Sequence, residues 1–543
     1  MAMGNRERRK FAHESAEAMA LILLVGISAI LFLPIFPIDE TRSLSVAWEM
    51  WINKSFLVPL LHGKPYPHKP PLLFWLIHAT WFLFGVNEVT PRLIPMFFGM
   101  VNIVLVREIS LLLWPKEKSV AKYAPYFLSA TLIWLVWSFL ILYEMLLSFW
   151  VLLGVMGILR ARLRGRKGDW CLISLSVAGG ILTKGPVVFV HILPLILSVW
   201  WWGRLPKKQV PSWFGKAFLA VLMGLLVAGA WVVPAVLEGG ERYRQALLWG
   251  QTVKRVVASF AHRRPIWWYL PLLPILFLPW TFWGRVWSGL FERRGERTMG
   301  TRTCLVWFFS SLGVLSLVSG KQPYYLLPSL PAVMLMMAHN FYKKEVLSEK
   351  RMWRPMGMGI VLLVVAGGTL LMPFVSISAN MGKVPWSAVL PMTTLSGGFG
   401  LYLLFHPFSS GKAALRTISL CVALVLSVFM AAPGRVMLKS YDLKPFAKRV
   451  KVEMEKGNEV TYIGGYHGEF QFLGRLEKPV KMLKGKTYQN YLKTHPNSLV
   501  IDEIETQKAK GLNGKDVRYW QPYKGRKVLV LMQGATYLKY FGR

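Results

Sequence analysis

Residues 37–71, PIDETRSLSVAWEMWINKSFLVPLLHGKPYPHKPP, decide how the chain is read. They follow an apolar run, residues 18–37, of the length needed to cross a bilayer. Adjacent carboxylates, Asp39 and Glu40, stand where the chain leaves that run, and ionisable groups are costly there unless they are used. Apolar residues at Leu44, Ala47, Trp48, Met50 and Trp51 keep a helical spacing that suits a helix lying in the membrane interface. Gly63, Pro65, Pro67, Pro70 and Pro71 then hold an extended segment that presents His68 and Lys69. One loop thus offers a carboxylate pair, an imidazole and an ammonium group at the membrane surface. Any one of these residues alone reads as part of an ordinary anchored loop.

The composition agrees. A chain of 543 residues that is 54% hydrophobic and 17% charged, with 24 tryptophans, is too apolar for a soluble multidomain enzyme and reads as a polytopic α-helical membrane protein. Cys171, Cys304 and Cys421 show no metal-ligand spacing and are read as packing residues. The net charge of +38 is spread over many loops without a nucleic-acid module, so no nucleic-acid partner is implied. Arg6, Arg8, Arg9 and Lys10 precede the first apolar run, which reads as a retained anchor with a cytoplasmic N-terminus.

Apolar segments between residues 18 and 433 give about thirteen expected spans. The stretch 72–84 is too short to settle by length, and loop charge decides it. If it does not cross, the clusters at Lys116/Lys118/Lys122, Arg160/Arg162/Arg164/Arg166, Arg204/Lys207/Lys208, Arg293/Arg294/Arg297/Arg302 and Lys343/Lys344 all share the side of the N-terminus. The positive-inside rule therefore predicts a non-crossing segment.

That topology puts the remaining unusual residues on the face of Asp39. Glu144 lies in the tight connection LILYEMLLSFW, where an acid between apolar helices faces either a wet cavity or the interface. Lys184 lies in LTKGP between two apolar runs, where it is placed to cap the preceding helix. The loop from Leu237 to Pro271 carries Arg242, Arg244, Lys254, Arg255, Arg263 and Arg264 beside Trp267, Trp268 and Tyr269, a composition suited to a phosphate at the interface or to anionic headgroups. SGKQPYYLLPSLPA, residues 319–332, separates two spans with a lysine and a tyrosine pair. Beyond about residue 433 the tail, with 22 Lys/Arg against 10 Asp/Glu, alternates helix-like stretches (442–456, 488–495) with strand-like ones (459–464, 498–501, 527–532). It is expected to form a small extracytoplasmic α/β domain, residues 434–543, after a transmembrane domain over residues 1–433. The turn Gly464 to His467 reads as plain, since no Lys-Ser/Thr follows it.

The loop order resembles the first extracytoplasmic loop of membrane glycosyltransferases of the GT-C class, and within it the aminoarabinose transferase and protein O-mannosyltransferase-like group. That group's pattern is Asp-Glu-x-Arg, a Trp-containing amphipathic helix, then Pro-Tyr-x-Glu-Lys-Pro-Pro. Asp39, Glu40, Arg42, Pro65, Tyr66, Lys69, Pro70 and Pro71 match it, while His68 stands where the group usually has Glu. Glu144 stands where it has Asp, Lys184 falls in its Thr-Lys-Gly turn, His262 maps to its loop histidine, and the run from Lys321 to Pro328, with Tyr325, matches without a gap.

The resemblance implies a GT-C fold in a bacterial inner membrane with an extracytoplasmic site, a polyprenyl-phosphate sugar donor, an acceptor such as lipid A, a glycan or a protein, and transfer with inversion. It implies Asp39 as the base with Glu144 in support, and Glu40, Arg42, Tyr66, Lys69, Arg255, Lys321 and Tyr325 as substrate-binding residues, with Lys69 and Arg255 on the phosphate. It also suggests a divalent ion, zinc, on His68 and His262, against the alternative that His68 only packs in its proline-rich turn and no metal is used. No nucleotide cofactor is implied. The competing reading is a transporter or flippase for an anionic lipid or lipid-linked sugar, which predicts paired repeats and mid-membrane charges. A non-catalytic scaffold leaves the loop motif unexplained.

Overall fold

The computed structural model describes residues 5–247, 263–287, 297–347, 352–375, 383–485 and 487–542. Helix α1 (Asn5–Phe32) ends at Leu33 and Pro34, and α2 (Asp39–Ile52) starts five residues later. A short hairpin, β1 (Leu60–Leu61) with β2 (Lys64–Pro65), leads to α3 (Leu72–Phe84) and then α4 (Thr90–Leu113). The carbonyls at the end of α1 have no partner within the helix. Arg92, in the first turn of α4, answers them: Nη1 donates to Ala29 O (2.8 Å) and Leu33 O (2.9 Å), and Nη2 to Pro34 O (2.5 Å). The end of α1 and the start of α4 are therefore bound together.

Among the described residues eight helical stretches are long and apolar enough to cross a membrane, and Leu72–Phe84 is among the shorter apolar helices. Other segments expected as spans are broken. The stretch 123–142 is built from α5 (Val120–Ser129) and α6 (Leu132–Trp137), and 266–285 consists of short helical turns. Helices α7 (Glu144–Leu163) and α8 (Lys167–Lys184) lie antiparallel and close, because a Cβ at Gly154 would collide with Ser176. Gly185, at φ +74°, then reverses the chain into α9 (Val188–Leu197) and α10 (Val199–Trp202). The return is complete, since Arg162 Nε, at the far end of α7, donates to Gly203 O at 2.9 Å. Helix α11 (Val210–Glu238) packs on α8 and is followed, beyond residues 263–287, by α12 (Met299–Leu317), α13 (Leu330–Leu347), the pair α14 (Met356–Leu371) and α15 (Trp386–Phe405), and α16 (Gly411–Phe429).

One end of this bundle is tied together by its basic loops. Trp114 Nε1 donates to Thr298 Oγ1 at 3.0 Å, Arg302 Nη2 to Trp202 O at 3.3 Å, and Lys412 Nζ to Glu14 Oε1 at 2.7 Å. The positive-inside rule assigns this end to the cytoplasm. Helix α3 stays entirely at the opposite end: Trp75 Nε1 near its start donates to Phe56 O, and Trp81 Nε1 near its finish donates to Asn87 O just before α4. Both ends of α3 thus lie at one end of the bundle, the arrangement expected from loop charge.

The C-terminal residues fold at the same end. A five-stranded sheet has the order β4 (Lys481–Leu483), β3 (Val460–Ile463), β5 (Leu499–Glu505), β7 (Lys527–Gln533), β6 (Val517–Tyr523), with β3 parallel to both β4 and β5 and the remaining pairs antiparallel. The strands β4 and β6 and the last helix, α19 (Gly534–Phe541), are additions to the elements expected from sequence; α17 (Lys444–Glu455) and α18 (Thr487–Thr494) are the expected helices. This sheet unit sits on α2 and α3. Trp48 Nε1 donates to Leu476 O at 2.9 Å, and Trp81 stacks on Phe472 with ring centroids 5.2 Å apart. Helix α2 is thus sandwiched between α3 and the sheet unit, where Leu44, Ala47 and Met50 are fully buried, instead of lying on lipid.

Candidate active site

Five segments converge on one cleft at the end of the bundle opposite the basic loops. Its lining includes Asp39, Arg42 and Ser43 from the first turn of α2, Tyr66 and Lys69 from the proline-rich segment, Tyr143 and Glu144 at the start of α7, Lys184 at the end of α8, and the pair Tyr324 and Tyr325. The open space is about 490 Å³. Two carboxylates face three cations there, so the cleft carries a surplus of positive charge suited to an anion.

The two carboxylates differ in their surroundings. Asp39 is 59% exposed and pairs with Arg42 one turn along the same helix. Glu144 is buried, and its Oε1 accepts from Lys184 Nζ at 2.6 Å. Its Oε2 is buried with no hydrogen-bond partner among the described residues, an acceptor left over for something else. Lys184 Nζ also lies 4.8 Å from the ring centroid of Tyr325 and 5.3 Å from that of Tyr324, and Lys69 Nζ lies 5.0 Å from that of Tyr143. Aromatic faces thus hold both ammonium groups over the cleft.

Glu40 does not line this cleft, contrary to its reading as a substrate-binding residue. It is 1% exposed; Oε2 accepts from Phe36 N at 2.8 Å, Oε1 accepts from Ile141 N at 2.9 Å, and Arg92 Nη2 lies 3.5 Å from Oε2. It joins the start of α2 to the chain entering α7. Its neighbour Asp39 and the pair Tyr143 and Glu144 are placed by that join. Lys321 is also absent from the lining. Its Nζ is buried and donates to Val318 O (2.6 Å), at the end of α12, and to Arg264 O (3.0 Å), in the extended segment beside it. Arg92, Tyr143 and Tyr324 are the residues that sequence reasoning missed. An arginine directly after a Thr-Pro helix start is the signal that points to Arg92, since its burial demands partners.

The loop is braced from below. The Glu49 carboxylate accepts from His62 N (2.9 Å) and Gly63 N (2.8 Å) in the β1–β2 turn, which fixes where the proline-rich segment begins. Burial pushes that carboxyl up from its ordinary pKa, opposed by these two hydrogen bonds. His68 is exposed outside the cleft lining, with its ring 5.1 Å from Tyr66. Arg255 and His262 lie outside the described residues. Among the described residues no three His, Cys, Asp or Glu side chains come together to hold a metal, and the two carboxylates of the cleft are engaged by cations. Of the two histidines that the resemblance suggests for a zinc ion, His68 lies outside the cleft lining and His262 outside the described residues.

This geometry can be set beside known proteins. A solved structure of ArnT from Cupriavidus metallidurans bound to undecaprenyl phosphate superposes with a TM-score of 0.73, covering 95% of this chain and 97% of that one at 16% identity. The chain has the GT-C fold. An oligosaccharyltransferase from Archaeoglobus fulgidus, solved with Zn and sulfate, gives 0.52 over 92% of this chain and 68% of its own at 12% identity. A family profile described as dolichyl-phosphate-mannose-protein mannosyltransferase matches residues 68–232 of this GT-C chain. The undecaprenyl phosphate-α-4-amino-4-deoxy-L-arabinose arabinosyl transferase of Pseudomonas aeruginosa is 29% identical over 341 residues, 60% of each chain, and that of Erwinia tasmaniensis is 28% identical over 315 residues, 56% of this chain and 55% of the relative. The matched part spans about three-fifths of the length of these relatives. In sequence and fold alike the chain is aminoarabinose-transferase-like.

Proposed function

We propose that the protein is a glycosyltransferase that moves a sugar from an undecaprenyl-phosphate-type donor to an extracytoplasmic acceptor such as lipid A, a glycan or a protein, with inversion. The observation that carries this reading is the meeting of Asp39 and Glu144 with Arg42, Lys69 and Lys184 in one cleft. The names of the relatives in Pseudomonas and Erwinia support an amino-pentose donor. Aromatic-backed cations at the end of a membrane bundle suit a lipid-linked phosphate whose tail stays in the bilayer.

In the proposed reaction the acceptor hydroxyl attacks the anomeric carbon as the bond from that carbon to the phosphate oxygen breaks. Asp39, the exposed carboxylate, takes the proton of the hydroxyl. The departing phosphate keeps the bonding electrons, and its charge is met by Lys69, with Arg42 and Lys184 close by. Glu144 orients the sugar through its unpartnered Oε2. An acceptor that is itself a phosphate brings no proton to remove, and Asp39 then only orients it.

Purified protein incubated with radiolabelled undecaprenyl-phosphate sugars and a membrane extract is expected to yield a labelled product that extracts with the acceptor. Label remaining on the donor in every case, or donor movement across vesicles without bond cleavage, overturns the reading and favours a flippase.

A further inference from the structure

A second groove, of about 1400 Å³, opens behind the Glu40–Arg92 pair. Its walls come from the last turn of α1, the start of α4, the chain leaving α16, and the first residues of the sheet unit. Three apolar passages end here, so the groove lies at the bilayer surface on the same face as the cleft. Its lower wall is apolar and open: Leu31 is 67% exposed and Val89 48%, with Phe32 and Val436 beside them.

The upper wall is charged, and the charges are unequal in their needs. Glu88 is answered by Lys444 Nζ at 2.9 Å, and Asp442 accepts from Lys444 N at 3.0 Å. Arg92 is committed to the carbonyls of α1 and to Glu40. Arg435 and Lys439 are exposed, and neither side chain has a hydrogen-bond or ion-pair partner among the described residues. Two cations without a side-chain partner among the described residues thus sit above an open apolar wall, where helices of membrane-spanning length end. An anionic membrane lipid has the matching order, phosphate above and acyl chain below.

We propose that this groove binds an anionic phospholipid, with its phosphate on Arg435 and Lys439 and an acyl chain along Leu31, Phe32, Val89 and Val436. The site is separate from the cleft and does not depend on the reaction assigned to it. A bound lipid bridges α1, α4 and the sheet unit, and the first two of these are the parts that Arg92 joins beside Glu40, the neighbour of Asp39.

The test uses the full-length protein in nanodiscs of phosphatidylcholine doped with phosphatidylglycerol, analysed by native mass spectrometry after release into detergent. Wild type is expected to retain phosphatidylglycerol in preference to phosphatidylcholine. Arg435→Gln/Lys439→Gln, at two exposed positions, is expected to lose that preference by roughly tenfold or more, the equivalent of two basic contacts at a lipid surface. A photoactivatable phosphatidylglycerol should crosslink to Val89 or Val436 in wild type, a readout that needs no variant. No preference in wild type, an unchanged preference in the double variant, crosslinks confined to other segments, or displacement by inorganic phosphate alone would each overturn the proposal.

Discussion

The guanidinium of Arg92 and the carboxylate of Glu40 lie 3.5 Å apart and almost without solvent access. Between them they hold the end of α1, the start of α2 and the chain at Ile141, and the residues on either side of this join line the cleft. Removing one partner of a buried ion pair leaves the other charge uncompensated, at a cost of about 3 to 5 kcal/mol. Arg92→Met and Glu40→Ala are each expected to lower stability by that order, measured by denaturant or thermal unfolding in detergent. A wild-type melting curve for Glu40→Ala would return that residue to the substrate.

Asp39 makes the opposite case, because it is more than half exposed and its carboxylate has a single partner among the described residues, Arg42. Asp39→Asn is expected to leave unfolding unchanged and to abolish transfer. Retained turnover in the folded variant rejects its role as base.

Why the sequence separated these two neighbours poorly is a matter of partners. An acidic pair at a membrane exit announces that its charges are used, but whether a given carboxylate meets substrate or a distant arginine depends on residue 92, whose place after a Thr-Pro helix start shows that it needs partners without naming them. Lys321 was misread for the same reason: its type is legible, its two carbonyl partners are not. Asp39, Arg42, Tyr66, Lys69, Glu144 and Tyr325 do share a cleft, and they were findable because each stands at a break between apolar runs, where polar groups must gather on one face. Loop charge resolved α3 in the same way, through a rule that sums over many loops. The burial of α2 was not legible, since the period of its apolar residues is the same against lipid as against a folded tail.

The pair Lys184 and Glu144 offers a coupling measurement. Lys184 is 12% exposed and Glu144 4%, so Lys184→Met alone leaves a buried carboxylate without its cation. The single variant is expected to lose about 3 to 5 kcal/mol, and Glu144→Gln in the same chain to restore part of it. Additive losses in the double variant would show that the two side chains do not act on each other.

Lys69 is expected to hold the donor phosphate from its place over the Tyr143 ring. Lys69→Met should weaken binding of undecaprenyl phosphate by roughly 1.5 to 3 kcal/mol, the range for a hydrogen bond to a charged group. Titration with the lipid in detergent reads this directly. Unchanged affinity would move the phosphate to other cations of the cleft.

The last prediction concerns the sheet unit where it meets α2. Burial pushes the Glu469 carboxyl up to about 7, partly offset by the hydrogen bond it accepts from His467 N at 2.7 Å. Its folded pKa is thus above its ordinary value of 4.5, so the neutral carboxyl is the form the fold prefers. The stability this group contributes is fully present below about pH 4.5 and is lost as the pH rises through about 7. His62, whose ring lies 5.0 Å from Tyr466, acts with the opposite sign, since burial lowers it to about 4 and its contribution fades as the pH falls from 6.5. Comparing Glu469→Gln with wild type isolates the carboxyl, because His62 is common to both. The amide oxygen still accepts from His467 N but does not ionise, so the variant is expected to melt higher than wild type at pH 8 and to lose that advantage towards pH 4.5. Parallel melting curves across this range would show that Glu469 does not titrate between them.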